Sequence, residues 1–249
     1  MPTKAALSYH RPCSYDEAVE LLWSLGDHCA VQTIGSSATG KSIYALSVGG
    51  TSAPCPAVVY CGTDLFSATL LLQFAFALPE LLSQKATLHR IHLPTLLAHR
   101  RLCLCPFLCS DAPPEGVEED PAASLTNGFG VFLPDCFTAS PIPVPEKAPE
   151  VLALRQYLSY TEPALLCVLQ KGTAARLYPA RPKAPTDHLL SRTLHAEVGK
   201  EPAEDPPAFL SIPFWYGAET GHMAYGVTVT AECMSHMPAF FCTAPLLIG

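Results

Sequence analysis

Hydrophobic and polar residues fall along this chain in blocks whose period changes from one block to the next. Residues 16–25 (DEAVELLWSL) repeat apolar positions at helical intervals, with Ser14 placed to cap the first turn. Two short runs of β-like composition follow, 30–34 and 43–48, separated by a stretch rich in Gly and Ser. Residues 57–61 (AVVYC) are apolar without a break, the pattern of a strand buried on both faces. A long apolar helix is predicted over 67–82 and a strand over 87–97. From 103 to 149 prolines, cysteines and acidic residues crowd together, and most of that segment reads as loop. Beyond it come a helix at 151–160, a buried strand at 164–169 and a loop at 179–187. A helix at 188–198, a loop at 202–207 and a strand at 225–231 complete the pattern. Strands alternate with helices and no internal repeat is present. The fold class is therefore α/β, a single domain with one mixed, mostly parallel central sheet flanked by helices.

Composition narrows the function classes. With 49% hydrophobic and 15% charged residues, the 249-residue chain can bury a sizeable core and is not of the disordered type. Its net charge is −7, and its 15 Lys and Arg are scattered without a basic patch, which argues against a nucleic-acid partner. The longest apolar stretch, 65–82, is interrupted by Ser67, Gln73, Pro79 and Glu80, so it reads as a buried helix rather than a transmembrane segment. Residues 1–15 show no apolar signal-peptide core, and the cellular compartment stays open. Eleven cysteines cannot all pair within one chain, and mostly reduced, buried thiols are expected.

One motif misleads. Gly35-Ser36-Ser37-Ala38-Thr39-Gly40-Lys41-Ser42 satisfies the phosphate-binding pattern GxxxxGK[ST] letter for letter. Phosphate binding requires a helix to start at Lys41-Ser42, so that its first amides face the anion. The next six residues, Ile43-Tyr44-Ala45-Leu46-Ser47-Val48, are strand-like and end at Gly49-Gly50. A hairpin turn accounts for the same letters. A P-loop nucleotide-binding protein is nevertheless one reading of Gly35 to Ser42.

Read in order, several segments resemble the zinc metallocarboxypeptidase family, nearest its carboxypeptidase E/N/D branch. Tyr9-His10 and Ser14-Tyr15-Asp16-Glu17 look like its opening helix. Ile34-Gly35-Ser36 with Gly40-Lys41-Ser42-Ile43 matches its "iGxSxxGRxi" hairpin, and Pro149-Glu150 with Ala153 its "PExxA" helix start. Leu177-Tyr178-Pro179 with Thr186-Asp187, then Trp215-Tyr216, Gly221 and Tyr225, resemble two later motifs. Thr230-Ala231-Glu232 with Pro238 resembles "TxEl…kxP". The likeness runs from about 9 to 238. It implies one carboxypeptidase-like domain over 1–249, and a last helix for which the residues after Pro238 leave little room.

The resemblance also implies a site, and the residues at its positions are wrong for the chemistry. A zinc peptidase needs three protein ligands and an open fourth position for water. Thr63 stands where the first His belongs, Phe66 where the Glu belongs, and Gln170 where the second His belongs, with Lys171 beside it. Neither a phenyl ring nor a neutral hydroxyl replaces those donors. Where the resemblance places the Asn-Arg pair that grips a terminal carboxylate, the chain has Pro134 and Asp135. An aspartate there repels a carboxylate instead of forking onto it. The oxyanion Arg position carries Leu125, and the "NPDG" turn has become Leu97-Ala98-His99-Arg100. Glu232 and Tyr216 keep the positions of the general base and the mobile tyrosine, with no metal-bound water for the base to act on.

Three further groups carry candidate chemistry. Cys103, Cys105 and Cys109 with His99 form a possible metal cluster, but Leu102, Leu104, Phe107 and Leu108 among them favour buried thiols or a local disulfide. His89 and His92 lie three apart on a predicted strand and so point to opposite faces. The acidic run 115–120 reads as a solvated loop. The leading expectation is an inactive carboxypeptidase-like protein, a pseudo-peptidase without cofactor, with a peptide or protein partner. The other readings are an active zinc carboxypeptidase removing C-terminal residues, and the P-loop protein.

Overall fold

The computed structural model describes residues 14–25, 29–52, 55–88, 90–111, 125–137, 146–181, 184–198 and 207–248. Its centre is an eight-stranded sheet in the order β1-β2-β6-β3-β7-β10-β8-β9. These strands are β1 (Ala30–Ser36), β2 (Ser42–Gly49), β3 (Ala57–Gly62), β6 (Arg101–Cys105), β7 (Leu165–Lys171), β8 (Arg176–Pro179), β9 (Glu197–Val198) and β10 (Met223–Val229). A two-stranded ribbon of β4 (Thr87–Leu88) and β5 (Ile91–His92) stands apart. The four middle strands β6, β3, β7 and β10 run parallel, while β1, β2 and β8 join antiparallel. The sheet is mixed and mostly parallel at its core, as expected.

Side-chain alternation along the strands sorts the core into two layers. On β3, Val58 and Tyr60 belong to one layer, and Ala57, Val59 and Cys61 to the other. The first layer receives α1 (Tyr15–Ser24), α2 (Leu65–Ser83), α3 (Leu93–His99), α5 (Pro185–Leu194) and α7 (Met237–Thr243). The second receives α4 (Pro149–Thr161), α6 (Ser211–Thr220) and the segment 125–137. Each helix begins where its sequence allows. Ser14 and Glu17 close a capping box on α1, and Asp64 and Ser67 do the same on α2. Pro149 and Pro185 start α4 and α5, where a missing N–H costs nothing. By length and composition α2 is apolar enough to cross a membrane, but it packs on the sheet with Ala68, Leu71, Leu72 and Ala75 fully buried.

Three expectations change. The strand expected over 87–97 is the short ribbon followed by α3, because Pro94 opens a helix whose Leu93, Leu96 and Leu97 share one buried face. His92 precedes that helix and its Nδ1 contacts the Thr95 hydroxyl, while His89 lies outside the described residues. The segment from 103, read as loop, begins inside strand β6, which sits between β2 and β3. In β6, Leu102 and Leu104 enter the first layer and Cys103 and Cys105 the second. The residues from 185, read as the end of a loop, already belong to α5. Met237 and Pro238 open α7, whose Phe240 and Phe241 are fully buried against Tyr60. The acidic run 115–120, Tyr9-His10 and most of the loop 202–207 lie outside the described residues.

Candidate functional site

Parallel α/β sheets place ligand sites at the C-terminal ends of their strands. Here those ends are Gly62 of β3, Lys171 of β7 and Val229 of β10. Gly62 passes so close to the next turn that a Cβ there would lie 2.4 Å from the Pro106 carbonyl and 3.0 Å from the Ala68 amide. The residue that follows it, Thr63, is buried and tied to β7. Its backbone N–H donates to the Leu169 carbonyl at 3.1 Å and to Ser67 Oγ at 3.1 Å, and its hydroxyl donates to the same carbonyl at 3.0 Å. Asp64 then ties a helix to a strand. Its Oδ1 accepts the Ser67 amide at 2.7 Å as the helix cap, and its Oδ2 accepts the Lys171 amide at 2.6 Å.

Phe66, in the first turn of α2, is buried, and the Lys171 ammonium lies 5.9 Å from its ring centroid, within cation–π range. Gln170, also buried, is the neighbour of that lysine on β7 and pairs with Thr228 of β10. The structure thus brings Thr63, Phe66 and Gln170 together at the C-terminal ends of two central strands. A divalent zinc ion does not fit this donor set. One side chain has no donor atom, one hydroxyl is committed to a backbone carbonyl, and the third is a neutral amide. Among the described residues, no group of three His, Cys, Asp or Glu is arranged to hold a metal ion.

Glu232 follows β10 on the 3-10 turn Ala231–His236, at the same end of the strands, and is exposed. Tyr216 is not there. It is 2% exposed on α6, and its hydroxyl donates to the Pro163 carbonyl, just ahead of β7 and thus at the opposite end of the sheet. Burial first of all, with the Glu162 charge, pushes its phenol up to about 12, against a lowering hydrogen bond from Thr220. The pair of retained residues is therefore separated. Leu125 is buried under α4, and Pro134 is buried while its carbonyl accepts the Ser211 hydroxyl at 2.9 Å. Asp135 faces solvent.

The phosphate-loop letters form the β1–β2 hairpin, with β2 where a helix would have to begin. Every amide of the turn is used internally. Ser37 N–H donates to the Lys41 carbonyl, Gly40 N–H to the Ser37 carbonyl and Lys41 N–H to Ser37 Oγ. Ala38 N–H donates to Glu150 Oε1 at 2.7 Å, and Thr39 N–H to Asp111 Oδ2 at 3.1 Å. Two carboxylates of the chain stand where phosphate oxygens would, which removes the nucleotide reading. Sequence reasoning missed both, since nothing local to Asp111 or Glu150 points to a turn so distant along the chain.

Glu150 is completely buried, and its Oε2 accepts Asn127 Nδ2 at 3.0 Å. Around Asp111, burial works to raise the carboxyl, but bonds from Ser37, Thr39 and the Gly128 amide outweigh it and hold the group below its usual range. The cysteines at 103, 105 and 109 are buried free thiols beneath the second layer, and His99 sits apart on α3 beside Ser52.

No family model matches the sequence, and no curated protein matches it either. Solved structures do. Thrombin-activatable fibrinolysis inhibitor superposes with a TM-score of 0.69 at 13% identity, covering 100% of this chain and 77% of its own. A metallo-carboxypeptidase of Pseudomonas aeruginosa in complex with (2-guanidinoethylmercapto)succinic acid gives 0.67 at 15%, over 95% and 69%. The bovine thrombin-activatable fibrinolysis inhibitor in complex with tick carboxypeptidase inhibitor gives 0.63 at 14%, over 96% and 97%. Identities this low speak for the backbone alone. The chain has a zinc-carboxypeptidase-like fold.

Proposed function

We propose that this protein is a catalytically inactive carboxypeptidase-like protein, a pseudo-peptidase that acts by binding or scaffolding. What carries the reading is the end of the sheet where β3 and β7 finish. Thr63, Phe66 and Gln170 occupy it as packing and hydrogen-bonding residues, with the Lys171 cation beside the Phe66 ring. Hydrolysis of a peptide in this fold calls for a Lewis acid and an activated water. Glu232 alone supplies neither, and Tyr216 is anchored at the far end of the sheet. The partner suited to such a fold is a peptide or protein, in keeping with the inhibitor protein bound by the bovine relative.

The test is elemental analysis after loading with zinc and dialysis, together with an assay for release of C-terminal Lys, Arg or aromatic residues from peptides. Zinc well below one per chain and no release are expected. Near-stoichiometric zinc with measurable release would replace this reading by that of an active metallocarboxypeptidase.

A further inference from the structure

A groove of about 370 Å³ opens between α5, the ribbon strand β5 and the C-terminal helices. Its floor and walls combine two chemistries. Ile91, Leu189 and Leu246 are apolar, and the two leucines stand 49% and 53% exposed. Arg192, His195 and His236 form the polar side with Thr193 and Thr243, and none of the described residues lining the groove is acidic, in a chain whose net charge is −7.

The two imidazoles stack, with ring centroids 4.0 Å apart and planes at 17°. They come from different elements, His195 from the end of α5 and His236 from the 3-10 turn before α7. Arg192, one turn before His195, adds a planar fork of N–H donors suited to the oxygens of a carboxylate or phosphate. Among the described residues no carboxylate forms an ion pair with Arg192.

Cations in the last turn of a helix are ordinary, because they complement its dipole. One feature exceeds that explanation. The half-exposed leucine pair stands beside the cations, which a helix terminus does not need. His195 itself closes α5 in the left-handed region at φ +52°, as Glu162 closes α4 at φ +43°.

We infer that this groove binds a small organic anion, a carboxylate or phosphate head on a short apolar tail. The head lies between Arg192 and the stacked His195 and His236, and the tail lies on Leu189, Leu246 and Ile91. The volume is of the size that small-ligand sites take.

Isothermal titration of the whole chain with hexanoate and with hexyl phosphate tests this, with inorganic phosphate and 1-hexanol as head-only and tail-only probes. Saturable binding of at least one amphiphile is expected, at least tenfold tighter than either control. Which amphiphile binds better identifies the head. Arg192→Ala should weaken it about tenfold or more, and His195→Gly severalfold. Glycine suits the left-handed backbone, so His195→Gly keeps or raises the melting temperature and separates lost binding from lost folding. Absence of saturable binding, equal binding of a control probe, or unchanged affinity in Arg192→Ala overturns the assignment.

Discussion

At Glu150 a carboxylate with no solvent exposure accepts one backbone and one side-chain donor, Ala38 N–H and Asn127 Nδ2. Removing it leaves the part-buried Ala38 amide without its acceptor and Asn127 Nδ2 with the Lys147 carbonyl alone, and a buried donor so stranded costs about 1–3 kcal/mol. Glu150→Ala should therefore lower stability by a few kcal/mol, read as a shift in urea midpoint at unchanged slope. Asp111 acts on the same turn through charge. Its folded carboxyl is held below the unfolded value, so its contribution is present above about pH 4 and disappears as pH falls through the folded value. Stability measured against pH should fall less steeply below about pH 4 in Asp111→Asn than in the natural chain. On the proposed reading, Thr63→His with Phe66→Glu and Gln170→His supplies the donors that the resemblance places at these positions. That triple variant should retain zinc through dialysis where the natural chain does not. An unchanged zinc content would mean that the surrounding backbone, and not only these side chains, has left the ligand geometry.

Elements depend on close fits that single residues make possible. A Cβ on Gly35 of β1 would lie 2.4 Å from the Ala153 Cβ of α4, so the hairpin and the helix meet only because that position is glycine. Gly35→Ala should destabilise by about 1–3 kcal/mol, as overpacking does, seen as a lower melting temperature. Arg100 fastens another element. Its Nε donates to the Pro245 carbonyl at 3.0 Å and its Nη2 to Ile248 at 2.8 Å. In Arg100→Ala, amide exchange should accelerate in residues 237–248 before any other segment. Element type was legible where period and caps agreed, as in α1 with Ser14 and Glu17 or in the unbroken β3. It was not legible in β6. Its alternation of Leu102 and Leu104 with Cys103 and Cys105 is a strand pattern, hidden by the proline- and cysteine-rich context and decided by its place between β2 and β3. In α3 the buried trio Leu93, Leu96 and Leu97 has a helical period, but seven residues are too short a window for that period to stand out.

Across the whole molecule the cysteines report burial. Burial pushes the Cys61 and Cys242 thiols up to about 12, and Cys105 and Cys167 also well above the ordinary thiol range. Among the described cysteines only Cys55 is not buried. A thiol reagent at pH 8 should label Cys55 within minutes and leave Cys61, Cys105, Cys167 and Cys242 unlabelled until denaturant is added, as read by mass spectrometry. Wide early labelling would mean a looser core than the two layers around the sheet imply. The α/β class, the buried central strand and the hairpin were determined by the sequence alone, as was the residue type at each position that the resemblance aligns with a zinc ligand. Each depends on local period, turn chemistry or residue type. Tertiary structure decided the rest, because it rests on contacts between distant residues. Only the folded chain puts Lys171 beside Phe66, turns Tyr216 toward Pro163 at the wrong end of the sheet, and fills a phosphate-like loop with the carboxylates of Asp111 and Glu150. It alone stacks His195 on His236. Residue type reveals what a position can donate, and only packing reveals what it faces.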